Sequence, residues 1–208
     1  MKHIADFGNR CSLFSVDDAS IFKSAIEKAK TDSMFPAFIT PYSIEEYSKM
    51  KMYLLTGGAA GVAINEEREI VSLFKNFRIA TKLGIDDVSG KLLFAAISNE
   101  GTKLDCYDGF LPHLYVKYGF IPVCKIKFKE EFASPSWDYE RDKKPDIIFF
   151  RHNGKDIKTI LENSKNYKNV NEYDIPYLPN YNSAKKMVSN EEKRFLIKDK
   201  QSLSHLRK

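Results

Sequence analysis

The sequence predicts an α/β fold built on a mixed, mostly antiparallel sheet with helices on both faces. Three observations carry that reading. Three short apolar runs, Met52 to Thr56, Ala60 to Ile64 and Glu69 to Lys75, are separated only by Gly57-Gly58 and by Asn65-Glu66-Glu67-Arg68. Turns that tight join antiparallel strands in a meander. A helical pattern then separates Glu69–Lys75 from the next buried run, Thr102 to Tyr107. A helix between two strands of one sheet demands a parallel, right-handed crossover.

The other elements follow from local signals. Asp17 and Asp18 precede apolar residues at Ile21, Phe22, Ala25, Ile26 and Ala29, the spacing of a helix over about 17 to 31. Ser43 with Glu46 has the capping-box spacing for a short helix in SIEEYSKM. Phe77 to Ile85 reads as an irregular loop. A helix over about 87 to 98 has Asp86, Asp87 and Ser89 as candidate caps and Gly101 as its stop. Phe110 to Tyr118 reads as a short helix ended by Gly119, Phe120 to Phe128 as a strand, and Pro145 to Arg151 as the last strand.

Composition bounds the class. The chain has 208 residues, 43% hydrophobic and 29% charged, enough for one core and an appendage. Its longest apolar runs fall far short of the roughly 20 residues of a membrane span, and MKHIADFGNR has no apolar secretory core. Three scattered cysteines, Cys11, Cys106 and Cys124, suit a reducing compartment rather than a disulfide framework or zinc site. The expectation is therefore a cytoplasmic protein with no membrane partner and no metal.

Charge divides the chain. Residues 1–154 carry 21 cationic and 21 anionic side chains, and residues 155–208 carry 12 and 7, so the whole surplus of +5 lies in the tail. The expected organisation is one domain over 1–154 and a basic extension over 155–208, a packing arm or a partly disordered segment. Two readings of the extension stand: an electrostatic contact with nucleic acid or an acidic partner, or an arm packed on its own domain or on a homodimer mate. Lysines alternating with Glu and Asp favour the second. Deletion after about residue 154 should then leave a folded core.

One stretch is more specific. Leu114-Tyr115-Val116-Lys117-Tyr118-Gly119-Phe120 resembles the late helix-to-strand junction L-Y-x-K-x-G-F of the GNAT family of acyl-CoA N-acyltransferases. The element order over residues 10–152 is similar to the family's order. Asp108 stands where the family commonly places an Asn, seven residues before the Tyr. Glu69–Lys75 resembles the fourth strand, and Gly90–Ile97 the helix that receives the CoA pyrophosphate.

The resemblance implies a parallel, splayed pair formed by strands 69–75 and 102–107, with acetyl-CoA as acyl donor and an amine as acceptor. Leu73, Phe74 and Lys75 would bind the pantetheine arm. Ser89, Gly90 and Lys91 would bind the pyrophosphate, because a helix N-terminus favours an anion. Tyr115 would protonate the departing thiolate, and Glu69 would serve through water as the base. The family's Q/R-x-x-G-x-G/A loop aligns with Ile85-Asp86-Asp87-Val88-Ser89-Gly90, which keeps only the final glycine. Arg78, Lys82 and Lys91 could form a longer cationic loop in its place, and Asp86 and Asp87 read equally as helix caps. The alternative function is a repurposed module of this fold that binds nucleic acid or a protein, or a nucleobase modifier like the phage-encoded Mom type.

Further candidates come from the residues themselves. Asp105 shares a strand face with Tyr107 and needs a partner if buried. Trp137 and Tyr139, in SPSWDYERDKKPD, sit on a long loop where aromatics can wall a substrate cleft or stack a base. His113 lies near Tyr115, but the four histidines share no metal spacing.

Overall fold

The computed structural model describes residues 1–8, 10–155, 160 and 169–205, the span 195–205 as backbone alone. The chain divides into two compact units: Met1–Thr102 with Glu130–Lys143, and Lys103–Lys129 with the chain from Lys144 on.

The first unit is a five-stranded antiparallel sheet in the order β1-β2-β3-β4-β5. Its strands are β1 (Lys2–Asp6), β2 (Ser12–Val16), β3 (Lys51–Leu55), β4 (Ala60–Ile64) and β5 (Ile70–Lys75). Helix α1 (Ala19–Thr31) is capped by Asp18, which accepts from the Ser20 backbone, and buries Phe22 and Ile26. These residues meet Tyr47, Leu54, Ala63 and Phe74 in one core. The short α2 (Ile44–Tyr47) starts with the anticipated Ser43–Glu46 capping box. Helix α3 (Phe77–Leu83) is capped by Asn76 and ends on Gly84 at φ 66°. Helix α4 (Val88–Ser98) follows and packs against β4 and β5. All five residues of β4 are buried, as befits a strand covered on both faces.

The second unit is a three-stranded antiparallel sheet in the order β6-β8-β7. It comprises β6 (Lys103–Tyr107), β7 (Phe120–Ile126) and β8 (Ile147–His152), with α5 (Phe110–Lys117) between β6 and β7. The last strand is thus the central one, which explains the continuous apolar run of IIFF. Phe150 meets Tyr115 of α5, and its neighbour Phe149 meets Tyr181 of the final helix α6 (Tyr181–His205), so alternate residues of β8 serve opposite faces. Helix α6 is capped by Asn180, whose side chain accepts from the Ser183 backbone, and buries Ala184 and Val188 against β7 and β8.

Just before α6, residues 176–178 run along the outer edge of β7. The Lys125 N–H donates to the Pro176 carbonyl (3.0 Å) and the Leu178 N–H to that of Lys125 (2.8 Å). The Tyr177 ring lies under Lys125 Nζ (4.4 Å) and Lys127 Nζ (4.1 Å), and its hydroxyl donates to Asp146. These contacts cover an edge that would otherwise invite pairing with another chain.

Several expectations are corrected. The β1–β2 hairpin was not anticipated; β1 is exposed on both faces, so its residues show no alternation. The expected loop at 77–85 contains α3. The strands 69–75 and 102–107 fall in different sheets, each at an edge, and every strand pairing within a sheet is antiparallel. Of the 155–208 extension, residues 176–178 and α6 pack on β7 and β8; residues 156–159, 161–168 and 206–208 lie outside the described residues. Since α6 supplies cover to that sheet, separability of 1–154 does not follow from the packing.

Candidate functional site

The most unusual backbone in the first unit is on β5. Ala63 pairs with Val71 and Gly61 with Phe74, so two residues, Ser72 and Leu73, oppose Val62 alone. This is a β-bulge, with Ser72 left-handed at φ 52°. Such a conformation costs a residue with a Cβ about 1–2 kcal/mol. Packing holds it in place: the buried Tyr47 hydroxyl and Ser72 Oγ lie 2.8 Å apart in a hydrogen bond. Because β5 ends its sheet, its outer backbone groups have no partner strand in that sheet, and the bulge re-aims those of Leu73, Phe74 and Lys75. Phe74 is buried, whereas Leu73 and Lys75 are half-buried, with Lys75 Nζ 4.7 Å from the Phe77 ring centroid.

Glu69 stands at the entry to β5 and is buried. Asn65 Nδ2 donates to its carboxylate (3.0 Å), while the Glu69 N–H donates to Asn65 Oδ1 (2.9 Å). The pair clamps the β4–β5 turn and fixes the carboxylate.

The N-terminus of α4 is already capped. Asp87, left-handed at φ 38°, accepts from the Gly90 N–H through Oδ1 (3.3 Å). Lys91 Nζ donates to the Asp86 carbonyl (2.6 Å) and to Asp86 Oδ1 (2.9 Å). The hydrogen bond and charge of Lys91 hold the Asp86 carboxyl below its ordinary range. Of the three expected pyrophosphate ligands, Gly90 is engaged by a carboxylate and Lys91 is neutralised by another; Ser89 is half-buried in the first turn. Sequence spacing shows none of this engagement, although Asp86 and Asp87 announced themselves as caps.

In the second unit, Tyr115 is buried on α5 with its ring edge-on to Phe120 (6.1 Å) and Phe150 (5.9 Å). Burial pushes its phenol far above the ordinary range, with Cys106 and Asp105 adding to the effect, so the hydroxyl stays protonated. Asp105 has the partner that its position required: the Tyr181 hydroxyl donates to Oδ1 at 2.7 Å. Asp108 is exposed just after β6, and its N–H donates to the Asp146 carbonyl (2.7 Å). His113 is half-buried on α5.

Trp137 and Tyr139 belong to the first unit's returning segment. Trp137 is pinned by its indole N–H to the Lys143 carbonyl (3.0 Å) and packs on Phe38 (4.9 Å). Sequence reasoning missed Ser72, Phe38 and Tyr181: nothing in its residue type marks Ser72 as a left-handed strand position, and the other two act through contacts distant in sequence. Among the described residues, no three His, Cys, Asp or Glu are grouped to hold a metal ion, and no helix is long and apolar enough to cross a membrane. No protein-family model, curated protein or solved structure matches this chain.

Proposed function

We propose that the chain is a GNAT-type N-acyltransferase that moves an acyl group, acetyl in the simplest case, from coenzyme A to an amine. The observation that carries this reading is the bulged strand β5 at the edge of its sheet. Amide groups of an extended ligand pair with such an edge as an added strand would, and the pantetheine arm of CoA contains two amides in a row. The element order and the Leu114–Phe120 junction point the same way.

A CoA thioester would supply the activated acyl group. The backbone of Leu73, Phe74 and Lys75 would orient it. Glu69 would accept, through water, the proton the amine loses as its nitrogen bonds to the acyl carbon. By its place in the Leu114–Phe120 junction, Tyr115 would give its proton to the sulfur as the C–S bond breaks. Burial keeps it protonated near neutrality and also makes it a weaker acid than a free phenol. Asp105 lies within β6, the strand that follows α4 in the family's order, and Asp108 just after it. The diphosphate end of CoA fits less well, because Asp87 occupies the α4 N-terminus and Asp86 holds Lys91.

That capping favours a second reading, a module of the same fold that binds a nucleic acid or protein instead of CoA. The test is thermal unfolding with acetyl-CoA, CoA, single-stranded DNA and duplex DNA. A ligand at 100 times its Kd adds about 2.7 kcal/mol of stability. Stabilisation by acetyl-CoA supports the enzyme. Stabilisation by DNA alone supports the module, and no shift with either CoA species removes the acyltransferase reading.

A further inference from the structure

The first unit presents an open aromatic surface built from two segments distant in sequence. Residues 34–38 bring Met34 (78% exposed), Phe35 (47%) and Phe38. Residues 130–143 return to them: Trp137 packs on Phe38, and the Arg141 guanidinium lies 5.9 Å from the Phe35 centroid. Tyr139, 45% exposed, follows Trp137 by two residues in the chain.

Charge selects what can bind there. The segments 31–42 and 130–143 hold Asp32, Glu130, Glu131, Asp138, Glu140 and Asp142 against only Arg141 and Lys143, in a chain whose net charge is +5. Arg141 and the buried Asp142 neutralise each other through a fork (2.6 and 2.7 Å), and Asp32 lies 3.9 Å from the Arg78 guanidinium. The surplus therefore rests on Glu130, Glu131, Asp138 and Glu140 against Lys143. Glu130, Glu131, Asp138 and Glu140 are exposed. Such a surface repels phosphates. Aromatic faces rimmed by carboxylates attract ammonium groups, through the ring quadrupole and through Coulomb attraction.

We infer that this surface docks a lysine-rich peptide segment of a partner protein. Its openness favours a peptide over a small polyamine, which needs enclosure to bury enough of itself. Lysine stems would lie on Met34, Phe35 and Phe38 with their ammonium heads toward the carboxylates. The inference goes beyond acyl transfer and is tested without any CoA, so the two readings fail separately.

Trp137 is the sole tryptophan, so it reports on the surface directly. The full chain is titrated with a lysine-rich peptide, the same peptide with Glu for Lys, spermidine and single-stranded DNA, following Trp137 emission and the anisotropy of labelled ligand. The lysine peptide should bind saturably and weaken as salt rises. Phe35→Ala should raise Kd roughly 2–5-fold, as loss of an exposed cation–π contact predicts. Glu140→Gln, a change at an exposed position, should raise Kd by a similar factor and keeps the test valid if Phe35→Ala misfolds. No response to the lysine peptide, an equal response to the glutamate peptide, or tighter binding of DNA or spermidine would overturn the proposal.

Discussion

Ser72 allows a sharp test of the bulge that underlies the proposed ligand edge. In an ordinary strand, glycine is less stable than alanine by roughly 0.5–1 kcal/mol, because it loses more backbone freedom on folding. At φ 52° the order should invert. Alanine keeps the left-handed penalty of about 1–2 kcal/mol, and glycine removes it. Subtracting glycine's entropic disadvantage leaves Ser72→Gly more stable than Ser72→Ala by about 0.5–1 kcal/mol. Both lose the hydrogen bond to Tyr47, worth about 1 kcal/mol. The Tyr47 hydroxyl retains its contact with the Tyr42 backbone, so the added cost of an unsatisfied buried group stays small. Ser72→Ala should therefore lose about 1 kcal/mol against the parent, while Ser72→Gly should lie within about 1 kcal/mol of it. Urea unfolding of the three proteins at constant m resolves these differences, and Tm should follow by about 2–4 °C per kcal/mol. Alanine equal to or more stable than glycine would refute a left-handed Ser72, and with it the re-aimed backbone of β5.

Four further outcomes follow from the sites. Tyr115→Phe keeps the ring packed on Phe120 and Phe150 and should lower kcat by about 10²–10⁴-fold with CoA affinity unchanged; a parental rate in steady-state assays would discard Tyr115 as the acid. Asp87→Gly keeps a residue tolerant of φ 38° and removes the carboxylate from the α4 N-terminus, so calorimetry should show CoA binding roughly 2–5-fold tighter; weaker binding would mean that the carboxylate helps. Ending the chain after residue 154 strips α6 from β7 and β8 and uncovers the β7 edge, so the fragment should aggregate; a monomer that unfolds cooperatively would show that the tail is dispensable. Burial, helped by Arg151, lowers the His152 pKa to about 4, so the unfolded chain binds the proton first as pH falls from about 6.5. Stability should drop through that window, down to about pH 4, by up to about 3 kcal/mol. His152→Gln should flatten this part of the curve, and an unchanged slope would mean that other groups set it.

What was legible in the sequence was whatever rests on burial with a regular period or on a side-chain cap. Helix α1, the capping box at Ser43, the β3–β5 meander and the run of β8 all announce themselves that way. Helix α3 carried its start and stop signals, Asn76 and Gly84, but buries only Ala80, so no apolar stripe marks it. Helix α6 shows the same weakness: Ala184 and Val188 are small, and Lys185, Lys186, Glu191, Glu192, Lys193 and Arg194 crowd the sequence around them. At the sites, residue type pointed to Tyr115, Asp105 and Glu69. It could not indicate that Asp105 is held by Tyr181, seventy-six positions away, or that Gly90 and Lys91 are engaged by the aspartates beside them. Contacts of that kind depend on how the chain returns on itself, and no local pattern encodes them.

The first unit is discontinuous, and this bears on how the protein is made. Its strands and α4 are synthesised by residue 102, yet Glu130–Lys143 belongs to the same unit. At about 5–20 residues per second, the intervening stretch takes on the order of 1–6 s to synthesise. For that interval Phe38 waits without Trp137, and Phe35 without Arg141. A nascent chain stalled after residue 102 has cleared the exit tunnel, and before Glu130–Lys143 has, should thus hold a formed sheet bearing an uncapped aromatic surface, a natural substrate for a chaperone. By the same connectivity, no single proteolytic cut can release the first unit whole.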